Sequence, residues 1–265
     1  MYGSGAERRP WPGQGCTKLS WNDLDMSEIL RDHYQLKETV VTILARKAEE
    51  IDAAKRAIKK QRAYLEDFIR RDPFFQITLE PYDLADIETP LIVRQMIESS
   101  APFGVGPMAA VAGAIAGYAV EAMMEEGAAY AVVDNGGDIC ILNDHPIVVG
   151  IYAGSSPVRD LAFEIQPRKV PLGICTSSGT VGPSLSFGWA DAAVVVSQDV
   201  MLADAAATAL GNAVSRAGPL KECFAAIDRP GIDGALVVRG GETAMWKDLP
   251  PLCRARVDAD RITRE

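Results

Sequence analysis

The sequence predicts an α+β fold in which mainly antiparallel sheets pack against helices. Short runs rich in β-branched residues recur through the second half of the chain. Two turns between such runs carry strong hairpin signals, Asn135-Gly136-Gly137 and Gly240-Gly241. Few helices separate the runs. This order favours hairpins over the alternating strands and helices of a doubly wound parallel sheet.

The first part of the chain is predicted to hold an arm, a strand and a long helix. Residues 1–27 are rich in Gly, Pro and polar residues and predict a flexible arm, and residues 28–265 predict one domain or two intimately packed halves. A strand is expected over Glu38–Leu44. The seven-residue spacing of Ile51, Ile58 and Leu65 predicts a helix over residues 46–71.

The helix over residues 46–71 carries nine basic and five acidic side chains around its apolar stripe. A solvated outer face is the favoured interpretation. A helix that binds a partner or an anion is the alternative. Pro73 is expected to end it.

The middle of the chain contains three further predicted elements. Phe74–Leu79 could form a strand, and residues 83–100 predict a helix interrupted by Pro90. An Ala-rich helix is expected over Pro107–Glu126, closed by Gly127. Its apolar run is dominated by Ala and Gly and leads directly into glutamates. It therefore predicts a buried helix rather than a membrane span.

The remaining elements are mostly strands. One further helix is predicted over Met201–Val214. The predicted strands are Ala128–Val133, Asp138–Leu142, Ile147–Ala153, Leu161–Gln166, Leu172–Cys175, Ala192–Ser197 and the closing hairpin Ala235–Arg239 with Glu242–Trp246.

Composition excludes several classes of function. The formal net charge of -9 argues against nucleic-acid binding, which needs a basic face. The five cysteines are widely spaced without a CxxC pair, so reduced thiols are expected rather than zinc or disulfides. No signal peptide is visible, and a cytoplasmic protein without membrane contact is expected. The sequence is compatible with a homodimer.

Three motifs could carry chemistry. The first, Asn135-Gly136-Gly137-Asp138, follows a strand, and its glycines permit positive φ and close approach of a ligand to the backbone. The same residues could simply form a hairpin turn. The second, Thr176-Ser177-Ser178-Gly179, also follows a strand and is typical of ligand-contact loops, although an ordinary Ser/Thr turn fits it as well.

The third motif lies on the last helix, where Asp204 and Thr208 are four residues apart and therefore share one face. Small alanines surround them and leave room for a ligand. A carboxylate and a hydroxyl with few other protein ligands suit Mg²⁺ that also binds substrate phosphates. A local hydrogen bond near the start of the helix is the alternative.

In this order, the motifs resemble the ApbE superfamily, whose pattern is AIAKGYAVD, NxGGDI, a T-S-G loop and ADALATAL. The matching stretches are Ala114–Glu121, Asp134–Ile139, Thr176–Gly179 and Leu202–Leu210. The resemblance implies an ApbE-like, T-fold-related scaffold, in a small uncharacterised branch known largely from archaea and anaerobic bacteria. It also implies FAD in a cleft, with Mg²⁺ at the FAD pyrophosphate.

By this resemblance, Asp204 and Thr208 would bind the metal, with a backbone carbonyl near Ala116. Asn135, Gly136, Gly137 and Asp138, together with Thr176, Ser177, Ser178 and Gly179, would line the cleft. The family transfers FMN from FAD to a protein Thr or Ser. Two family elements are absent here. Ala116 runs directly into Gly117 without the Lys, and Gly182–Asp191 replaces the HxxDPxTG segment.

Three functions therefore remain open, and none assigns a catalytic residue. The first is a Mg²⁺-dependent enzyme acting on FAD or a related nucleotide. The second is a sulfur-carrying role, for which loop N–H groups would stabilise a Cys175 thiolate. The third is a flavin- or nucleotide-binding module without transferase chemistry. For Cys175, a buried small apolar residue is the alternative interpretation.

Overall fold

A computed structural model of the chain describes residues 29–84, 89–179 and 188–255. The expected arm at residues 1–27 lies outside these ranges, as does most of the segment that replaces HxxDPxTG. Within them the fold is α+β with antiparallel sheets packed against helices, as the sequence predicts.

The larger sheet has eight strands, and each neighbouring pair is antiparallel. In spatial order they are β1 (Leu30–Leu36), β2 (Thr39–Ala45), β3 (Ala131–Asn135), β4 (Asp138–Leu142), β7 (Leu172–Ser177), β8 (Ala192–Ser197), β9 (Gly234–Arg239) and β10 (Glu242–Lys247). A smaller antiparallel sheet contains β11 (Leu252–Arg254), β6 (Leu161–Ile165) and β5 (Ile147–Ile151).

Five α-helices accompany these strands in the described residues. They are α1 (Ala48–Arg71), α2 (Phe74–Ile77), α3 (Leu91–Ser100), α4 (Val111–Glu125) and α5 (Val200–Ala213). Short 3₁₀ helices cover Ala101–Phe103, Pro107–Ala110 and Leu220–Ile227.

The large sheet separates two apolar cores, because alternate side chains of a strand point to opposite faces. One face packs against the helices and includes Val133, Cys140 and Val195. The other face, which includes Ile141 and Ile174, packs against the small sheet. The molecule is therefore layered as helices, large sheet and small sheet.

Helix α1 buries its apolar stripe, while its charged side chains form ion pairs. Lys55 pairs with Asp32 at 2.8 Å, and Arg62 pairs with Glu66 at 3.0 Å. Arg56 reaches an acidic partner at the end of α4 at 3.1 Å. These pairs neutralise much of the basic surface, so the solvated outer face remains the favoured interpretation of this helix.

The Ala-rich helix is part of the core. Pro107–Glu125 has the length and composition to cross a membrane. In the structure, however, α4 packs against α1, α5 and strands β3 and β4, and Ala114, Ala116 and Ala119 are fully buried. This arrangement favours the predicted buried helix. The segment begins as 3₁₀ helix over Pro107–Ala110, so the α-helix proper is shorter than predicted.

Two predictions in the first half of the chain are wrong. The strand expected over Phe74–Leu79 is the short helix α2, which starts because the Asp72 side chain accepts a 3.0 Å hydrogen bond from the Phe74 N–H after Pro73. Of the helix expected over residues 83–100, residues 85–88 lie outside the described ranges, and α3 begins at Leu91. Pro90 precedes its first turn instead of interrupting it, which is a position where proline is tolerated.

Candidate functional site

The Asn135–Asp138 motif forms the hairpin turn between β3 and β4. Gly136 and Gly137 have φ of 69° and 105°, and Asn135 lies opposite Asp138 across the hairpin. Both glycines thus occupy the left-handed region that disfavours other residues. The turn lies beside the end of β7, because a Cβ on Gly137 would be 3.9 Å from the Thr176 carbonyl oxygen.

Asp138 is the first residue of β4 and lies opposite Cys175 of β7. Its side chain belongs to the helix-facing side of the sheet, in step with Cys140. Cys175 and the next residue of β7, Thr176, lower the pKa of the Asp138 carboxyl group. Burial, together with the charge of Asp134, nevertheless raises the pKa of Asp138 to about 7.

Asp204 approaches the same region from α5. Its Oδ2 accepts a 2.7 Å hydrogen bond from the Gly113 backbone N–H, in the first turn of α4. The residue before α4 is Ala110, which provides no capping side chain, so Asp204 supplies the cap from another helix. Only 7% of Asp204 is exposed. Burial and the charge of Asp138 raise the pKa of Asp204 well above its usual range.

Small residues allow this close approach of α4, α5 and β7. A Cβ on Gly113 would lie 2.6 Å from the Val200 carbonyl oxygen, and a Cβ on Gly173 would lie 2.6 Å from the Val200 Cα. Asn135 completes the arrangement, because its Nδ2 donates a 3.1 Å hydrogen bond to the Ala112 carbonyl. The hairpin turn is thereby tied to the first turn of α4.

The remaining predicted site residues lie around this junction. Ser177 and Ser178 are buried, and the Gly179 N–H donates a 2.9 Å hydrogen bond to the Ala190 carbonyl. Thr208 is half-buried, one helical turn after Asp204. The backbone carbonyl expected near Ala116 stays a prediction, and Ala116 lies about one turn after the contact of Asp204 with α4. Asp204 meets α4 at its start, where the chain leaves free N–H groups, and not in the middle of the helix.

Cys175 does not have the surroundings of a reactive thiolate. It is 0% exposed, and its Sγ lies 3.5 Å from the Val200 carbonyl oxygen. Burial raises the pKa of the thiol well above its usual range, and the nearby carboxyl groups of Asp138 and Asp204 raise it further. The structure therefore supports the interpretation of Cys175 as a small buried residue rather than a thiolate stabilised by loop N–H groups.

The donor set suits a hard cation that also binds ligand oxygens. Within the described ranges, no group of three or more His, Cys, Asp or Glu side chains is arranged to hold a metal ion. Asp138 and Asp204 provide two carboxyl groups with raised pKa values, and Mg²⁺ is commonly bound by one or two carboxylates plus substrate phosphates and water. These residues fit a Mg²⁺ that a phosphate completes.

The fold is that of ApbE proteins. The apo flavinyl transferase ApbE of Pseudomonas stutzeri matches over 84% of this chain and 97% of its own, with a TM-score of 0.54 at 11% identity. The ApbE protein of Thermotoga maritima matches over 89% of this chain and 100% of its own, with a TM-score of 0.52 at 13% identity. At such low identity the likeness establishes the architecture alone.

Sequence comparison defines the family more narrowly. A family model described as "AbpE bacteria" matches residues 24–230. A UPF0280 protein of Methanothrix thermoacetophila is 57% identical over 236 residues, covering 89% of this chain and all of its own length. A UPF0280 protein of Methanosarcina barkeri is 52% identical over 237 residues, covering 89% of this chain and 93% of its own. The chain therefore belongs to the ApbE-like UPF0280 family.

Proposed function

We propose that this protein binds FAD or a related flavin nucleotide together with Mg²⁺. The binding region is the junction of the β3–β4 turn, the end of β7 and the facing ends of α4 and α5. The fold supports a flavin-related function, because the architecture is shared with a flavinyl transferase. That likeness is distant, so the proposal depends on the residues at the junction.

The convergence of Asp138 and Asp204 is the observation that carries the proposal. Asp204 on α5 is buried, Asp138 on β4 is half-buried, and the charge of Asp138 raises the pKa of Asp204. Burying two carboxylates without a cation destabilises the folded protein. A divalent cation would offset this repulsion, and phosphate oxygens would complete its coordination.

Neighbouring groups orient these carboxyls. The Gly113 N–H fixes one oxygen of Asp204, and the pairing of β4 with β7 places Asp138 opposite Cys175. Asp204 and Thr208, with Asp138 beside them, would hold Mg²⁺, which would polarise the pyrophosphate of the nucleotide. The two glycines of the turn let the ligand approach the backbone without meeting a side chain.

Isothermal titration with FAD in the presence of Mg²⁺ tests the proposal. The wild-type protein should bind FAD, and Asp204→Asn should weaken that binding by at least about tenfold, because a direct metal ligand of this kind contributes more than about 1.4 kcal/mol. Asp67→Asn on the exposed face of α1 is the matched control and should bind like the wild type. No binding to the wild type, or equal binding by Asp204→Asn, would refute the proposal.

Whether binding leads to FMN transfer is a separate question. The family Lys is absent at Ala116-Gly117, and the chain has no HxxDPxTG segment. These absences favour a flavin-binding module without transferase chemistry. A transferase and a flavin-binding module can be distinguished by mass spectrometry after incubation with FAD, Mg²⁺ and a flavin-acceptor peptide. An FMN adduct on the peptide would exclude the module, whereas binding without an adduct would support it.

A further inference from the structure

Trp189 is an exposed aromatic residue outside the acidic junction. It is 51% exposed, although the Arg216 guanidinium lies 4.9 Å from the centre of its ring. Because Arg216 covers part of the indole, an exposed fraction this high requires much of the remaining ring surface to be open. With the guanidinium over one face of the ring, the opposite face of the indole is the surface that a planar ligand ring could contact.

The backbone holds Trp189 against the loop predicted to line the ligand cleft. Its neighbour Ala190 accepts the hydrogen bond from Gly179, the last residue of the Thr176–Gly179 loop. On the other side, a Cβ on Gly179 would collide with the Gly188 carbonyl oxygen. Gly179 thus contacts both neighbours of Trp189, which places the backbone of Trp189 beside the end of the Thr176–Gly179 loop.

Trp189 is also fixed to the C-terminal end of α5. The backbone N–H of Trp189 donates a 2.9 Å hydrogen bond to the Val214 carbonyl, and Gly188 packs against the Gly211 carbonyl. Helix α5 carries Asp204 near its other end. A rise of 1.5 Å per residue separates Asp204 from Gly211 by about 10 Å. An extended ribityl phosphate can span a distance of this order.

The surroundings of Trp189 add positive charge and a concave surface. Arg216 is exposed, and its guanidinium lies over one face of the indole, so a ligand ring would stack on the opposite face. Val214, which accepts the Trp189 N–H, also lines a cavity of about 210 Å³ together with Ser215 and Arg239. An aromatic ring beside a guanidinium recognises planar rings that carry phosphate, through stacking and charge.

We propose that Trp189 and Arg216 form a stacking platform for the planar ring of a phosphorylated ligand. This inference rests on the proposed function, because the nucleotide bound by its phosphates near Asp204 would extend along α5 and place a ring on Trp189. Either the isoalloxazine or the adenine of FAD could supply that ring. FMN, which carries the isoalloxazine, and ADP, which carries the adenine, distinguish the two rings.

The test measures affinity for FAD, FMN and ADP, each with Mg²⁺, by titration calorimetry. Trp189→Ala should weaken FAD binding by about 5- to 100-fold, the range expected for the loss of one stacked ring. Trp189→Phe keeps a stacking surface and should recover most of the affinity. Trp246→Phe is the matched control, because the Trp246 ring already stacks on Phe224 at 5.9 Å between ring centres.

The outcomes separate this inference from the proposed function. If Trp189→Ala weakens FMN but not ADP, the isoalloxazine occupies the platform, and the reverse pattern assigns it to adenine. If the wild type binds FAD and Trp189→Ala binds it equally well, the platform is refuted while the proposed function stands. If the wild type binds none of the three ligands, both are refuted. Quenching of tryptophan emission by FAD should also fall in Trp189→Phe and persist in Trp246→Phe.

Discussion

The Asp204 carboxylate on α5 accepts a 2.7 Å hydrogen bond from the Gly113 N–H in the first turn of α4. This contact joins two helices through a group that also belongs to the candidate metal site. It satisfies a backbone donor that α4 leaves without an intrahelical partner. It also keeps a carboxylate in a buried position beside Asp138, where its charge is costly. The same contact therefore holds α5 against α4 and keeps a carboxylate where it could bind a cation.

Gly113 should tolerate no side chain. In Gly113→Ala the new Cβ would lie 2.6 Å from the Val200 carbonyl oxygen and 2.9 Å from the Asp204 Cβ, so α4 and α5 must separate. We expect a loss of about 1–3 kcal/mol in the free energy of unfolding, as for other overpacked cores. Urea denaturation measures it. Gly241→Ala, whose Cβ would lie 3.7 Å from Pro157, is the control and should unfold like the wild type. Equal stability of both variants would contradict the packing described for Gly113.

Stability should fall as the pH rises through the range in which Asp138 titrates. A raised pKa means that the folded protein keeps a proton that the unfolded chain releases near its usual pKa of 3.8. The contribution of Asp138 to stability is therefore full below about pH 4 and is lost as the pH approaches 7. The raised pKa of Asp204 also makes stability fall as the pH rises, and this fall extends to higher pH.

Denaturant titrations between pH 4 and pH 8 on the wild type and on Asp138→Asn measure this dependence. The free energy of unfolding of the wild type should decrease with pH more steeply than that of Asp138→Asn, because the variant has no proton to lose at this position. Asp67→Asn should keep the wild-type slope. The same slope in the wild type and Asp138→Asn would show that the Asp138 pKa is not raised.

Cys175 should be unreactive in the native protein. Because Cys175 is completely buried, reagents cannot reach it, and its raised pKa keeps the thiol protonated. Cys253, in contrast, is half-buried and lies in the edge strand β11 of the small sheet. Native alkylation followed by peptide mass spectrometry should label Cys253 much faster than Cys175. Treatment with a low-molecular-weight persulfide, which can donate sulfane sulfur, should likewise leave Cys175 unmodified. Rapid labelling or persulfidation at Cys175 would instead revive the sulfur-carrying hypothesis.

The sequence predicts most accurately the strands whose bounds are set by their own residues. Strands Asp138–Leu142 and Ala192–Ser197 have the predicted bounds, because their β-branched runs end at clear turn residues. The hairpin β1–β2 was only half predicted. Strand β1 alternates exposed and half-buried residues at a sheet edge, so its sequence lacks a strong apolar pattern. Pairing between distant strands, such as β4 with β7, leaves no local signal.

The sequence likewise predicts individual residues of the candidate site but not how these residues are placed relative to one another. Asn135, Asp138 and Asp204 were all singled out, yet nothing in their spacing places Asp204 on the first turn of α4. The local sequence does not distinguish Gly113 from the other small residues of the Ala-rich helix, although its missing side chain is what permits the contact. Trp189 was overlooked, because an isolated aromatic in a loop becomes informative only once its exposure and its contact with Arg216 are known.

Calorimetric titration of FAD into wild-type protein and Asp204→Asn, both with Mg²⁺, tests the central claim most directly. We predict Mg²⁺-dependent binding by the wild type, at least about tenfold weaker binding by Asp204→Asn, and unchanged binding by Asp67→Asn. No binding by the wild type, binding that does not depend on Mg²⁺, or equal binding by Asp204→Asn would contradict this claim.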